Sequence, residues 1–287
     1  MEQKHTSNWG WMLYTDFFLS ALGGGLLIIA SLMTVLYGTK YVAVDTFLTP
    51  VVAMGLGSSL LLLDLGKPFR SWRVFTNPKS FLTIGASMIT ISIGLAVLLA
   101  TFYLPILPWS KLTGIRNLLA LLAALSGFVV AFYPGLLLGK MAGRPFWKGS
   151  LLAPLFLLSG LSTGIAAFCI IDRIWHQNGE LLFNSLNKLN AVLLLAQIVG
   201  WGTYVYMKRS MATQKETAAL TNVFAGGRGI LFWGGVMGLG LIIPLLLFIY
   251  SGTAPALFAH AFVLVGAFMM RGFVVTADHG VPVELLS

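Results

Sequence analysis

The sequence is short of most of what a water-exposed protein is built from. It has one cysteine, Cys169, in 287 residues, which excludes an internal disulfide, a four-cysteine iron–sulfur cluster and a thiolate zinc site. Lying in an apolar run, that cysteine reads as a small buried hydrophobe. There are four histidines, His5, His176, His260 and His279. Only His260 sits well inside an apolar run, whereas a membrane b-haem needs two axial histidines on facing helices, so neither a haem nor a tightly bound metal is expected. Charged residues make up 9% of the chain, against about 25% in a typical soluble domain. A solvated surface cannot be assembled from so few. No glycine-rich phosphate loop of the nucleotide-binding kind is present and no Ser-His-Asp pattern; Gly23-Gly24-Gly25 reads as a helix-packing feature.

What the chain does have is apolar length. It is 57% hydrophobic with a mean hydropathy of +0.88, and a bilayer core is crossed by roughly 20 apolar residues. Eight such runs can be marked, at about 11–37, 45–65, 81–104, 115–140, 150–171, 189–207, 229–250 and 254–276. They predict an all-α integral membrane protein with eight transmembrane helices. The first run is too long for the apolar core of a signal peptide and lacks a cleavage site, so it reads as a retained helix. Clusters such as Thr76-Asn77-Pro78, Pro105 to Trp109, Gly143 to Lys148 and His176 to Gly179 separate the runs. The polar stretch from Lys208 to Arg228 is the longest connection and could form a short surface helix. Trp9, Trp11, Trp72, Trp109, Trp147 and Trp175 fall near run ends, where an aromatic belt belongs.

An even number of spans puts both termini on one face, here face A. The cations divide unevenly. Lys4, Lys67, Arg70, Arg73, Lys79, Lys140, Arg144, Lys148, Lys208, Arg209, Lys215, Arg228 and Arg271 lie toward face A, and Lys40, Lys111, Arg116, Arg173 and Lys188 toward face B. That bias predicts a prokaryotic cytoplasmic (inner) membrane protein with its termini inside. A weak repeat joins Leu19-Ser20-Ala21-Leu22-Gly23-Gly24-Gly25 to Leu158-Ser159-Gly160-Leu161-Ser162-Thr163-Gly164, 139 residues on. It suggests two four-helix bundles, residues 1–143 and 144–287, although close helix packing alone could produce the likeness.

Ionisable groups inside a membrane are costly and mark function by default. Asp16 lies about a turn into the first span, Asp64 ends the second, Tyr133 lies near the face-A end of the fourth, and Asp278 and His279 follow the eighth. Structural roles compete: Asp64 could sit near Lys67, and Asp278 could pair with Arg271. The polar residues nevertheless gather at one face, which fits a lipophilic ligand held by a few polar groups. Tyr133 could donate a hydrogen bond to a quinone carbonyl and Asp16 could exchange the accompanying proton. From residues alone, this quinone reading competes with a proton- or ion-translocating protein using Asp16, Asp64 and Asp278.

The segment Leu61-Leu62-Leu63-Asp64-Leu65-Gly66-Lys67-Pro68, followed by Phe75-Thr76-Asn77-Pro78-Lys79-Ser80, resembles the second-to-third helix connection of the polysulfide reductase membrane-anchor (NrfD-like) family. Tyr133-Pro134-Gly135 with Gly143-Arg144-Pro145-Phe146-Trp147 is similar to that family's Tyr-x-Gly and Arg-Pro-hydrophobic-Trp pattern, and Trp9-Gly10-Trp11 before a glycine-rich first helix also fits. The resemblance covers essentially the whole chain.

The resemblance implies a haem-free anchor subunit, not catalytic by itself, that binds an iron–sulfur subunit of the four-cluster ferredoxin-like kind and a molybdopterin catalytic subunit. It would exchange electrons with menaquinone or ubiquinone, with no nucleic acid among its partners. The family's site tyrosine carries over to Tyr133. Its helix-one histidine falls on Asp16 and its helix-one asparagine on Leu13, a departure that leaves the quinone geometry open. Tyr14 and Asp64 are further expected quinone neighbours. Lys67, Arg70, Arg73 and Lys79, with Arg144 and Lys148, are expected to dock the iron–sulfur subunit, or to meet lipid headgroups. In many relatives the partner subunits lie outside the cytoplasm, opposite to what the charge bias gives for face A.

Overall fold

The computed structural model describes residues 10–64, 81–140, 146–147, 151–211, 224, 226–250 and 252–277. Within them every regular element is helical, as it must be for an open chain in lipid, where each backbone N–H and C=O has to be satisfied within its own segment. Eight helices are long and apolar enough to span. They are α1 (Trp11–Tyr37), α2 (Val44–Asp64), α3 (Phe81–Thr101), α4 (Thr113–Gly139), α5 (Leu152–Ile171, prolonged by a π-helical turn Asp172–His176), α6 (Glu180–Met211), α7 and α8 (Thr253–Thr276). α7 crosses as Arg228–Ile249, with a π-helical stretch over Leu231–Ile242.

Two boundaries differ from the sequence expectation. α3 stops at Thr101, and the chain then turns into a short 3-10 helix, Pro108–Lys111. α6 starts at Glu180 rather than near 189. Its first turns carry Asn184, Ser185, Asn187, Lys188 and Asn190, which dilute the apolar signal. Asn187 and Asn190 are nevertheless buried, because they face polar partners inside the bundle.

Helices α1 to α4 neighbour one another in the order 1-2-3-4-1, and α5 to α8 in the order 5-6-7-8-5. α1 also packs on α5 and α8, and α4 on α5, so the two sets are joined through α1 and α5. Small residues bring the backbones together, as expected where lipid supplies no hydrophobic drive between helices. A methyl group on Gly24 would fall 2.8 Å from the Gly127 carbonyl oxygen. Gly25 meets the backbone of Gly160 and lies against Gly164, leaving no room for a side chain on either helix. Outward faces are apolar, as with Leu118, Leu121 and Leu125 on α4.

The core near face A is aromatic, with Phe17, Phe146, Phe156, Trp201, Phe224, Phe232 and Phe273 in one cluster. Trp147 belongs to this cluster and corrects the belt expectation, since it is fully buried. Its indole Nε1–H donates to the Val274 carbonyl on α8 at 2.7 Å. The Phe146 carbonyl accepts from the Tyr204 hydroxyl on α6. These two bonds tie the α4–α5 connection to the second half. Trp11, Trp109 and Trp175 are exposed at helix ends, as a belt requires, while Trp9 and Trp72 lie outside the described residues.

Candidate functional site

Asp16 stands in the second turn of α1 and is 0% exposed. One helical turn later Ser20, also buried, donates its hydroxyl to Asp16 Oδ1 at 3.1 Å. The second carboxylate oxygen, Oδ2, is buried and has no hydrogen-bond partner among the described residues. Removing a carboxylate from water costs several kcal/mol unless its lone pairs are met, so an acid left half-satisfied marks a place built for something else. The facing helix makes room for it. A methyl on Gly57 of α2 would lie 2.9 Å from Asp16 Oδ1 and 3.2 Å from the Leu19 Cβ.

Tyr133 reaches the same region from α4. It is buried and lies within electrostatic range of Asp16. Pro134 follows it inside the helix, removing one backbone donor just where the ring leaves α4. Gly85 of α3 accommodates the ring; a methyl there would come within 2.6 Å of the phenol Cζ. Gly135 abuts Ala153 at the start of α5. Four helices thus converge: α1 gives the acid, α4 the phenol, and α2 and α3 give the glycines that admit them. Gly57 and Gly85 were not singled out by the sequence, where they look like any glycine in a lipid-facing helix.

Other expected site residues are placed differently. Tyr14 is two residues from Asp16, about 200° round the helix, and it packs edge-on against Phe268 of α8 with centroids 5.4 Å apart. The structure therefore brings Tyr14 to α8 and not to the Asp16–Tyr133 region. Leu13 is buried in the aromatic core. Asp64 is the last residue of α2. Lys67, Arg70, Arg73, Lys79, Arg144, Lys148, Asp278 and His279 lie outside the described residues.

Two buried polar groups were underestimated from sequence. Arg271 was counted with the face-A cations, yet it is 0% exposed. Its Nε donates to the Phe17 carbonyl at 3.1 Å and its Nη1 to Ser159 Oγ at 3.0 Å and the Ala267 carbonyl at 2.9 Å. His260 is buried between two asparagines of α6, its Nε2 2.9 Å from Asn187 Oδ1 and its Nδ1 3.4 Å from Asn190 Nδ2. Among the described residues no three His, Cys, Asp or Glu side chains converge as metal ligands would.

Eight membrane-spanning helices with a sealed carboxylate and a phenol near one face define a polytopic membrane protein with an intramembrane polar site. The chain belongs to the polysulphide reductase NrfD family, whose model matches residues 1–280. It is 29% identical to the C subunit of the polysulfide reductase of Wolinella succinogenes, over 86% of this protein and 84% of that one. It is 28% identical to the NrfD protein of Escherichia coli over 94% of each, and 26% identical to an NrfD homolog of Haemophilus influenzae over 77% of each.

Proposed function

We propose that this protein is the membrane anchor of a respiratory oxidoreductase complex, passing electrons between the quinone pool and the iron–sulfur subunit of a molybdopterin enzyme. The observation that carries the proposal is the Asp16 carboxylate, sealed from solvent, held at one oxygen by Ser20, unpaired at the other among the described residues, and within electrostatic range of Tyr133. Family membership and a relative named as one subunit of a reductase support the same reading.

The residues present suit a quinone. Its head is flat and apolar with two carbonyl acceptors, and here a carboxylate packs against a glycine of α2 and a phenol against a glycine of α3, within electrostatic range of each other. When bound, a quinone (menaquinone or ubiquinone) supplies two-electron chemistry coupled to two protons. Tyr133 orients it by donating a hydrogen bond. Asp16 holds or releases the proton at Oδ2, and Ser20 keeps the carboxyl in one rotamer by bonding Oδ1. Burial excludes water, so a proton reaches the reacting oxygen through Asp16 and not from bulk solvent.

Asp16 and Tyr133 lie toward face A, where the α2–α3 and α4–α5 connections also emerge. Those connections carry Lys67, Arg70, Arg73 and Lys79, and Arg144 and Lys148. We assign them to docking the iron–sulfur subunit, whose nearest cluster would then stand over the quinone site. The protein would lie in the bacterial inner membrane with face A cytoplasmic.

Gentle-detergent purification of the protein from its native membrane, with mass spectrometry of protein and lipid, tests this. Iron–sulfur and molybdopterin subunits co-purifying with quinone is the expected result. A protein that emerges alone and quinone-free from several mild detergents overturns it.

A further inference from the structure

The second set of helices holds a polar track that the quinone reading leaves unused. It begins at Arg271 on α8, whose Nη2 has no partner among the described residues, and passes to Ser159 on α5. It resumes one turn deeper at Ser162, whose hydroxyl donates to Asn190 Oδ1 at 2.5 Å. Asn190 Nδ2 then donates to His260 Nδ1, and His260 Nε2–H donates to Asn187 Oδ1. Asn187 Oδ1 is only an acceptor, so Nε2 carries the ring proton and Nδ1 is free to accept. Eleven residues of α8 separate His260 from Arg271, about 16 Å of helix, or about half the hydrocarbon thickness.

Between the two segments lies a small cavity at the centre of the second bundle. Ser159, Ser162, Gln197, Trp201 and Met270 are among the residues lining it. Trp201 is 1% exposed, and its Nε1–H has no partner among the described residues. Most of the lining is apolar, and a wholly apolar cavity stays dry, but the two hydroxyls, the amide and the unmet indole donor among the lining residues can supply the two to four bonds that hold a buried water.

We propose that this cavity is a built water site, and that its water joins the Arg271–Ser159 pair to the Ser162–Asn190–His260–Asn187 series in one hydrogen-bonded network. The water accepts from Trp201 Nε1 and bridges the two serine hydroxyls. The result is a hydrated track through the half of the protein that lacks Asp16. Toward face B it is closed by Phe183, whose ring lies edge-on to His260 at 6.0 Å and carries the Arg173 guanidinium 4.0 Å from its centroid. The other ring against His260 is Phe248. His260 is thus the deepest titratable group on the track, shielded from Arg173 by an aromatic ring. The inference does not depend on a quinone being bound.

X-ray hydroxyl-radical footprinting of the full-length protein in detergent, in 18O-water, tests the site against internal controls. Met270 and Trp201 line the cavity, while Met54 and Trp147 are equally buried and do not. Met270 and Trp201 should be labelled at least tenfold faster than Met54 and Trp147, and Gln197→Leu should abolish the difference. Equal protection of all four, or labelling that Gln197→Leu leaves unchanged, overturns the water site. The join is read by 15N-histidine NMR in D2O, with the His260 signal assigned by its loss in His260→Gln. Its ring N–H should exchange at least tenfold faster in the wild type than in Ser162→Val; equal rates overturn the join.

Discussion

Gly25 of α1 and Gly164 of α5 touch backbone to backbone, and they are 139 residues apart, the offset that relates the two glycine-rich segments. Equivalent positions of a repeat can meet only near the axis relating its copies. The other joining contacts obey the same relation: α4 packs on α5 as α8 packs on α1. Ser20 and Ser159 are a further pair at this offset. The first holds the Asp16 carboxylate and the second the Arg271 guanidinium. The contacts fit two four-helix halves related by this offset, with a buried acid held in one and a buried base in the other.

Filling that seam should be costly. Gly164→Val forces α1 and α5 apart, and overpacking of this kind costs about 1–3 kcal/mol and at times more. Thermal unfolding in detergent should show a lowered midpoint. Gly55→Ala and Gly94→Ala, where a methyl meets nothing within 4 Å, should instead be neutral or slightly stabilising, because alanine is the better helix former by up to about 1 kcal/mol.

Gly57→Ala and Gly85→Ala test the walls of the proposed quinone site without replacing its polar groups. Each methyl intrudes on Asp16 Oδ1 or the Tyr133 ring. Quinol turnover of the complex should fall in each by up to about 100-fold, the order expected from a displacement near 1 Å at a reacting group. Dye-linked activity of the catalytic subunit should stay intact.

Trp147→Phe removes the indole donor to the Val274 carbonyl while keeping an aromatic ring. A buried acceptor losing its partner costs about 1–3 kcal/mol, so the detergent-solubilised protein should unfold earlier. The exposed Trp175→Phe should shift the midpoint little.

His176→Ala removes the 2.8 Å hydrogen bond with Asp45 that links the π-helical end of α5 to the first turn of α2. Both side chains are partly exposed, and pairs of that kind contribute less than about 1 kcal/mol. Unfolding should therefore barely change.

Hydropathy alone marked all eight helices, because lipid tolerates few other solutions. It lost the start of α6, since Asn187 looks like a loop residue until His260 is seen to face it. Asp16 and Tyr133 stood out as polar groups in apolar runs. Gly57 and Gly85 could not, because their role is the space they leave for another helix. Trp147 looked like a belt residue because its position along the sequence says nothing of the way the connection folds inward. Arg271 looked peripheral by counting from a helix end, and only the packing of α1 and α5 around it shows that it is buried.

The most direct test of the account is quinol turnover of the intact complex carrying Asp16→Asn, measured beside dye-linked activity. Asparagine keeps the shape and cannot exchange the proton. The account predicts a loss of about 100-fold or more in quinol turnover, the order assigned to a positioned proton-transfer group, with dye activity unchanged. Full quinol turnover in Asp16→Asn would contradict it.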